Sequence, residues 1–204
     1  MSKKPVIVFE GIEGSGKTIH SNFVSQYLKK KKIDFIKIRE PGGNKNSEII
    51  RKIILSKKSN FNKNTDLLLY LASRSENISY LKKNFRKKII LIDRFVDSTL
   101  AYQHYGFGVN LSKIKFLNNF ILNNFKVDFT FLNTVSMNNM IKRLKKRKKL
   151  NRYDKFNISF YRRVQNGFLR LSKKNKEKYQ IINSNDSLEA NKSLIIKKLE
   201  KLIR

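Results

Sequence analysis

The chain contains no cysteine, only 2 proline and 8 glycine residues, and 15 acidic side chains against 46 basic ones. Without cysteine there is no disulfide, no thiol nucleophile and no Cys-ligated zinc or iron–sulfur centre. No window approaches the ~18 consecutive apolar residues of a membrane-spanning helix. The first apolar run, Val6-Ile7-Val8-Phe9, stops at Glu10 without a signal-peptide cleavage pattern. These absences predict a soluble cytoplasmic protein with no membrane association. What is present is ample apolar material: 40% of 204 residues are hydrophobic, including 15 Phe and 8 Tyr. That suffices for one cored domain, 1–204, and excludes a disordered basic tail.

The net charge of +31 first suggests nucleic acid or another anionic partner. A second origin stands beside it. Lys, Asn, Ile and Phe, all abundant here, share A/T-rich codons, so base composition alone can supply much of the charge. The rare residues are more informative. Seven of the eight glycines fall in three clusters, Gly11/Gly14/Gly16, Gly42/Gly43 and Gly106/Gly108, with Gly167 apart. Glycine serves where backbone bends sharply or approaches a ligand, so these are candidate binding loops.

Between the loops the apolar pattern alternates between short strand-like and longer helical runs. Strands are expected at Pro5–Phe9, Ile33–Ile38, Ile89–Ile92, Phe129–Leu132 and Tyr179–Ile182. Helices are expected at Lys17–Lys31, Ser47–Leu55, Thr65–Asn84, Ser112–Asn124, Met137–Lys146, Phe156–Asn175 and from Leu188. The segment between Asp93 and Ser112 reads as a loop bearing hydroxyls and glycines. Alternating strands and helices predict an α/β fold: a three-layer parallel sheet of about five strands, helices on both faces, with ligands at the carboxyl ends of the strands. No linker, repeat or second domain is visible.

Directly after the first strand, Gly11-Ile12-Glu13-Gly14-Ser15-Gly16-Lys17-Thr18 matches the P-loop pattern G-x-x-x-x-G-K-[ST] and opens a helix. Backbone N–H groups there cradle phosphates, Lys17 neutralises β/γ oxygens, and the Thr18 hydroxyl is suited to Mg²⁺. Asp93, ending an apolar strand, is placed to reach the same metal directly or through water. The N-K-x-D and D-x-x-G strings of GTPases are absent, and a nucleic-acid motor needs a longer chain. A small P-loop NTPase-fold kinase is the economical reading.

Three further clusters accompany the P-loop: Arg39-Glu40-Pro41-Gly42-Gly43, Leu67-Leu68-Leu69-Tyr70-Leu71-Ala72-Ser73-Arg74, and Asp93-Arg94 running through Ser98, Thr99, Ala101, Tyr102 and Gln103. In order and spacing the whole set resembles the bacterial thymidylate kinase family, over essentially the entire chain. The resemblance implies transfer of phosphate from Mg·ATP to dTMP. It also implies a homodimer, for which the helices Thr65–Asn84 and Ser112–Asn124 have apolar residues to offer.

The resemblance implies roles residue by residue. Gly11 to Thr18, with Arg143, hold ATP. Tyr70 stacks on thymine, Arg74, Thr99 and Gln103 contact the base, and Ser98 and Tyr102 line the same pocket. Glu13 contacts the sugar 3′-hydroxyl; Arg39 and the less specific Arg51 lie near the acceptor phosphate, and Arg94 binds the phosphates. The basic segment Lys142, Arg143, Lys145–Lys149 and Arg152 is the lid, about 143–154. Its Arg147 and Arg152 supply the transition-state cations, as expected where the P-loop x positions carry no basic residue. Against the family pattern, Phe107 replaces the Arg of G-R-G, His104 a Gly, Asn133 and Asn151 each an Asp, and Ile19 a hydroxyl residue. The isomer of the Glu40–Pro41 bond stays open, as do two other functions: a kinase for a different nucleoside monophosphate, and a basic nucleic-acid-binding ATPase.

Overall fold

The computed structural model describes residues 4–148 and 150–204; Lys149 of the basic segment lies outside the described residues. Five strands, β1 (Val6–Gly11), β2 (Phe35–Arg39), β3 (Ile89–Asp93), β4 (Phe129–Thr134) and β5 (Tyr179–Asn183), form one parallel sheet in the order β2-β3-β1-β4-β5. Eight α-helices among the described residues complete it: α1 (Lys17–Lys30), α2 (Lys45–Leu55), α3 (Lys63–Asn84), α4 (Val96–Thr99), α5 (Leu111–Leu122), α6 (Met137–Lys145), α7 (Ile158–Lys174) and α8 (Leu188–Ile203). This is the expected α/β P-loop fold. No helix among the described residues is long and apolar enough to cross a membrane.

The near-continuous apolar runs of β1 and β3 are buried throughout, as strands covered on both faces must be. The period of two divides them. Ile7, Phe9, Ile89, Leu91, Phe129 and Phe131 pack against Val24 and Leu28 of α1 and Ile195 and Leu199 of α8. Val6, Val8, Ile90 and Ile92 face Ile78 and Leu81 of α3 and Ile121 of α5. Strand order reverses at β1, so β3 and β4 diverge on either side of its carboxyl end, the crevice where this fold class binds ligands.

Two helices begin earlier than their apolar periodicity suggests. The side chain of Asn44 accepts from Ser47 N, and that of Asn62 from Asn64 N and Thr65 N, so each Asn caps a helix whose first residue is a lysine. The larger correction concerns the segment after Asp93. It is helical rather than a loop: α4 runs on without a break as π-helix from Leu100 to Gly106. A π turn inserts an extra residue into the 3.6-residue repeat, which removes the periodic signal. Ser98, Thr99, Tyr102 and Gln103 therefore project from helical backbone.

Gly11 shows how tightly β1 meets β4. Its φ of +142° is unfavourable for any L side chain, and a Cβ there collides with the carbonyl oxygen of Asn133. Gly11→Ala is expected to cost at least about 2 kcal/mol and lower the melting temperature by about 5 °C or more in a thermal denaturation series.

Candidate active site

The P-loop turns back between β1 and α1 with Gly14 and Gly16 at φ +69° and +82°. Lys17 lies buried, its Nζ donating to the carbonyl of Ile12 at 3.1 Å. Burial, and then the Arg94 guanidinium, lower its ammonium to about 8. The register pairing Phe9 with Asp93 brings the end of β3 beside the loop. Thr18 Oγ1 donates to Asp93 Oδ2 at 2.6 Å. Arg94 follows in a left-handed turn, φ +68°. Its Nη1 donates to Gly11 O at 3.0 Å and to Ser98 Oγ at 3.3 Å, and its Nη2 to Glu13 Oε1 at 2.8 Å. The other Glu13 oxygen accepts from the Tyr102 hydroxyl, whose ring lies 5.2 Å beneath the Arg94 guanidinium.

A cavity of about 220 Å³ opens from this centre towards α2 and α3, bordered by Lys17, Thr18, Asp93 and Arg94. Tyr70, Arg74, Ser98, Thr99, Tyr102 and Gln103 border it as well. Thr99 Oγ1 and both amide atoms of Gln103 are buried with no hydrogen-bond partner among the described residues. Such atoms carry a desolvation cost of about 1–3 kcal/mol each unless a ligand matches them. Arg39 and Arg51 also border this cavity; Arg39 pairs with Glu48 at 3.0 Å and Arg51 donates to Pro41 O at 2.6 Å.

Arg74 has a second task. Its Nε donates to Glu40 Oε2 at 2.8 Å and its Nη1 to Asn118 Oδ1 at 2.5 Å, with the guanidinium over the Phe95 ring. Both partners of the Glu40 pair are almost wholly inaccessible. Burial pushes the Glu40 carboxyl up, and Arg74 opposes that. Gly42 N donates to Ser73 Oγ, Asn77 Nδ2 donates to Gly42 O, and the Glu40–Pro41 peptide is cis. The Arg39–Gly43 loop is thus fastened to one face of α3.

A second cavity, about 490 Å³, lies across the P-loop between Ile19, His20, Arg143, Ser184 and Leu188. Arg143 borders it while donating to Gly14 O at 2.8 Å and Ser184 O at 2.6 Å. Lys17, Thr18 and Arg147 border both cavities. Arg147 pairs with Asp154 at 2.6 Å and stays exposed. Arg152 borders neither cavity: it pairs with Asp66 and lies over the rings of Phe61 and Tyr153.

Several contributors escaped the sequence reading. Tyr153 borders the first cavity edge-on to Tyr70, with its hydroxyl on Asp66 Oδ2 at 2.6 Å. Its signal was an aromatic residue inside a basic run. Glu10 is wholly buried beneath the Arg94 turn, and burial and Asp97 raise its carboxyl to about 7. The family departures are absorbed locally. Phe107 packs on Phe156 and Phe160, Asn151 caps the turn Arg152–Lys155 in a box with Asp154, and Asn133 Oδ1 meets His20 Nδ1 at 2.5 Å.

Comparison with known proteins matches a thymidylate kinase family model to residues 9–195. The thymidylate kinase of Kosmotoga olearia is 34% identical over 196 residues, covering 94% of this chain and 93% of that protein. The thymidylate kinase of Thermosipho africanus is 38% identical over 185 residues, covering 90% and 91%. The crystal structure of thymidylate kinase from Ehrlichia chaffeensis superposes with a TM-score of 0.78 at 32% identity, over 96% of this chain and 98% of that one. With sequence, motif order and fold matched from β1 into α8, the chain belongs to the thymidylate kinase family.

Proposed function

We propose that the chain transfers the γ-phosphoryl group of ATP to the 5′-phosphate of dTMP, giving dTDP and ADP on the route to dTTP. The acceptor cavity carries this reading, because it joins Tyr70 and the unpartnered Thr99 and Gln103 atoms to the phosphate-seeking Lys17 and Arg94. Thymine offers one N–H donor flanked by carbonyl acceptors, which the Gln103 amide can match. Tyr70 supplies the stacking face, Arg74 a further edge contact, and Ser98 and Tyr102 the wall. Glu13, already oriented by Arg94 and Tyr102, takes the sugar 3′-hydroxyl. Arg39, Arg51 and Arg94 surround the position of the acceptor phosphate.

The attacking phosphate oxygen is ionised at neutral pH, so the reaction needs no general base; alignment and charge neutralisation carry the rate. ATP lies in the second cavity, its phosphates in the Gly11–Thr18 loop and its base near Arg143. Lys17 and Arg147, which border both cavities, are the cations placed to meet charge developing on the transferred group. Residues 143–154 act as the lid of a one-domain chain, and Arg152 reaches the transferred group only by leaving Asp66; in this geometry it anchors the lid beside Tyr153.

The Thr18 hydroxyl and Asp93 carboxylate fit Mg²⁺. They are hard oxygen groups already in contact, and no cluster of three or more His, Cys, Asp or Glu among the described residues competes as a metal cage. Two protein oxygens completed by phosphate and water are the donor set this ion favours. When bound, Mg²⁺ neutralises β- and γ-phosphate charge.

Helices α3 and α5 pack together and leave Leu68, Phe116 and Phe120 exposed, the phenylalanines by 73% and 78%. We assign this face to a homodimer. We assign the enzyme to the cytoplasm, the compartment in which nucleotides are made and used.

A coupled ADP-release assay across monophosphates is expected to show dTMP phosphorylated fastest; faster turnover of CMP, UMP, AMP or GMP refutes the assignment. Lys17→Ala and Arg94→Ala should each nearly abolish turnover. Arg147→Ala should lower kcat by about 10³-fold with dTMP affinity little changed, and steady-state kinetics showing the reverse would move Arg147 to the acceptor site. Sedimentation should find a dimer that Phe116→Asp with Phe120→Asp converts to monomer.

A further inference from the structure

Glu10 ends the apolar run of β1, is wholly inaccessible to solvent, and borders neither the acceptor nor the donor cavity. A carboxylate in such a place is costly unless its oxygens are matched. They are matched by a single turn. Oε1 accepts from the N–H groups of Phe95 at 2.8 Å and Ser98 at 3.1 Å, and Oε2 accepts from the Ser98 hydroxyl at 2.5 Å.

That turn carries Arg94. Its φ of +68° is a left-handed conformation that costs a non-glycine residue about 1–3 kcal/mol and persists only where the surroundings over-determine it. Arg94 N is tied to Phe9 O at 3.0 Å on one side, and Glu10 fastens the next N–H groups on the other. The Ser98 hydroxyl, having given its proton to Glu10, turns a lone pair to Arg94 Nη1 at 3.3 Å. The polarity of the chain runs one way, from guanidinium to hydroxyl to carboxylate.

We propose that Glu10 is a positioning residue for phosphoryl transfer, holding the Arg94 guanidinium on the acceptor phosphate through the Phe95–Ser98 turn and the Ser98 hydroxyl. The inference rests on the reading of Arg94 as a phosphate-binding residue. It differs from a plain helix cap in one consequence: loss of Glu10 affects the phosphate of the acceptor and spares the nucleoside.

Glu10→Gln tests this with little change of shape. One oxygen remains for the two N–H groups, but the new NH₂ group faces Ser98 and forces its hydroxyl to accept, turning the hydroxyl proton towards a guanidinium that has only donors. At pH 8, thymidine and dTMP affinities are measured by calorimetry and kcat by the coupled assay. The expected result is a variant that melts within a few degrees of the wild type and binds thymidine within about twofold. Its dTMP affinity and kcat each fall by about tenfold or more, the worth of one hydrogen bond to a charged group. An unchanged dTMP-to-thymidine affinity ratio with wild-type kcat overturns the proposal.

Should the Gln variant fail to fold, Glu10→Asp keeps the charge but withdraws the carboxylate by one methylene from the Ser98 hydroxyl and the Phe95 and Ser98 N–H groups. The same selective loss is expected there, and an unchanged ratio in that folded variant overturns the proposal. Wild-type turnover of dTMP in parallel separates the two readings. Its absence counts against the assigned reaction; its presence beside unaltered variants counts against Glu10.

Discussion

The parallel pairing of β1 with β3, Phe9 opposite Asp93, is the constraint on which the remaining geometry depends. It opens the P-loop and the Asp93–Arg94 turn at one edge of the sheet, so that Lys17 and Thr18 from one strand end meet Asp93 and Arg94 from the other. Apolar packing on both faces sets that register, because a one-residue slip would turn Ile7, Phe9, Leu91 and their neighbours to the wrong side. The consequence is electrostatic. Two cations come close enough in a buried setting for Arg94 to depress the Lys17 ammonium, a concentration of positive charge whose natural complement is phosphate.

Helix α3 is the second organising element. Asp66, Tyr70, Ser73, Arg74 and Asn77 follow helical spacing and share one face. Through Ser73, Arg74 and Asn77 that face holds the Arg39–Gly43 loop; through Asp66 it holds Arg152 and Tyr153 of the turn Arg152–Lys155. Between these attachments stands Tyr70. The buried Arg74–Glu40 pair is suited to specifying this arrangement rather than to adding stability, since burying the pair costs much of what their attraction returns.

Charge in this protein separates by residue type. Of the seven ion pairs found among the described residues, six use Arg and one uses Lys, although lysine outnumbers arginine almost three to one. A planar guanidinium matches carboxylate and phosphate with fixed geometry, whereas an ammonium on a flexible stem is easily left hydrated. Scarce acids reinforce the pattern. Glu13, Glu40, Asp66 and Asp154 each hold one arginine around the site. The lysine excess that dominates the composition lies largely outside this network.

The sequence by itself determined the sheet, the P-loop and the ordered motifs that place the chain in its family. These depend on local spacing: period-two burial, glycines where φ is positive, and a Lys-Thr pair opening a helix. Only the tertiary structure decided which charges meet. The pairing of Arg152 with Asp66, the second task of Arg74, the entry of Tyr153 into the cavity wall and the burial of Glu10 beneath Arg94 join residues from 34 to 88 positions apart. The π-helical run Leu100–Gly106 was hidden for a different reason, since its extra residue per turn erases the helical period. Contacts of that range follow from packing and register, which a linear pattern of residue types does not contain.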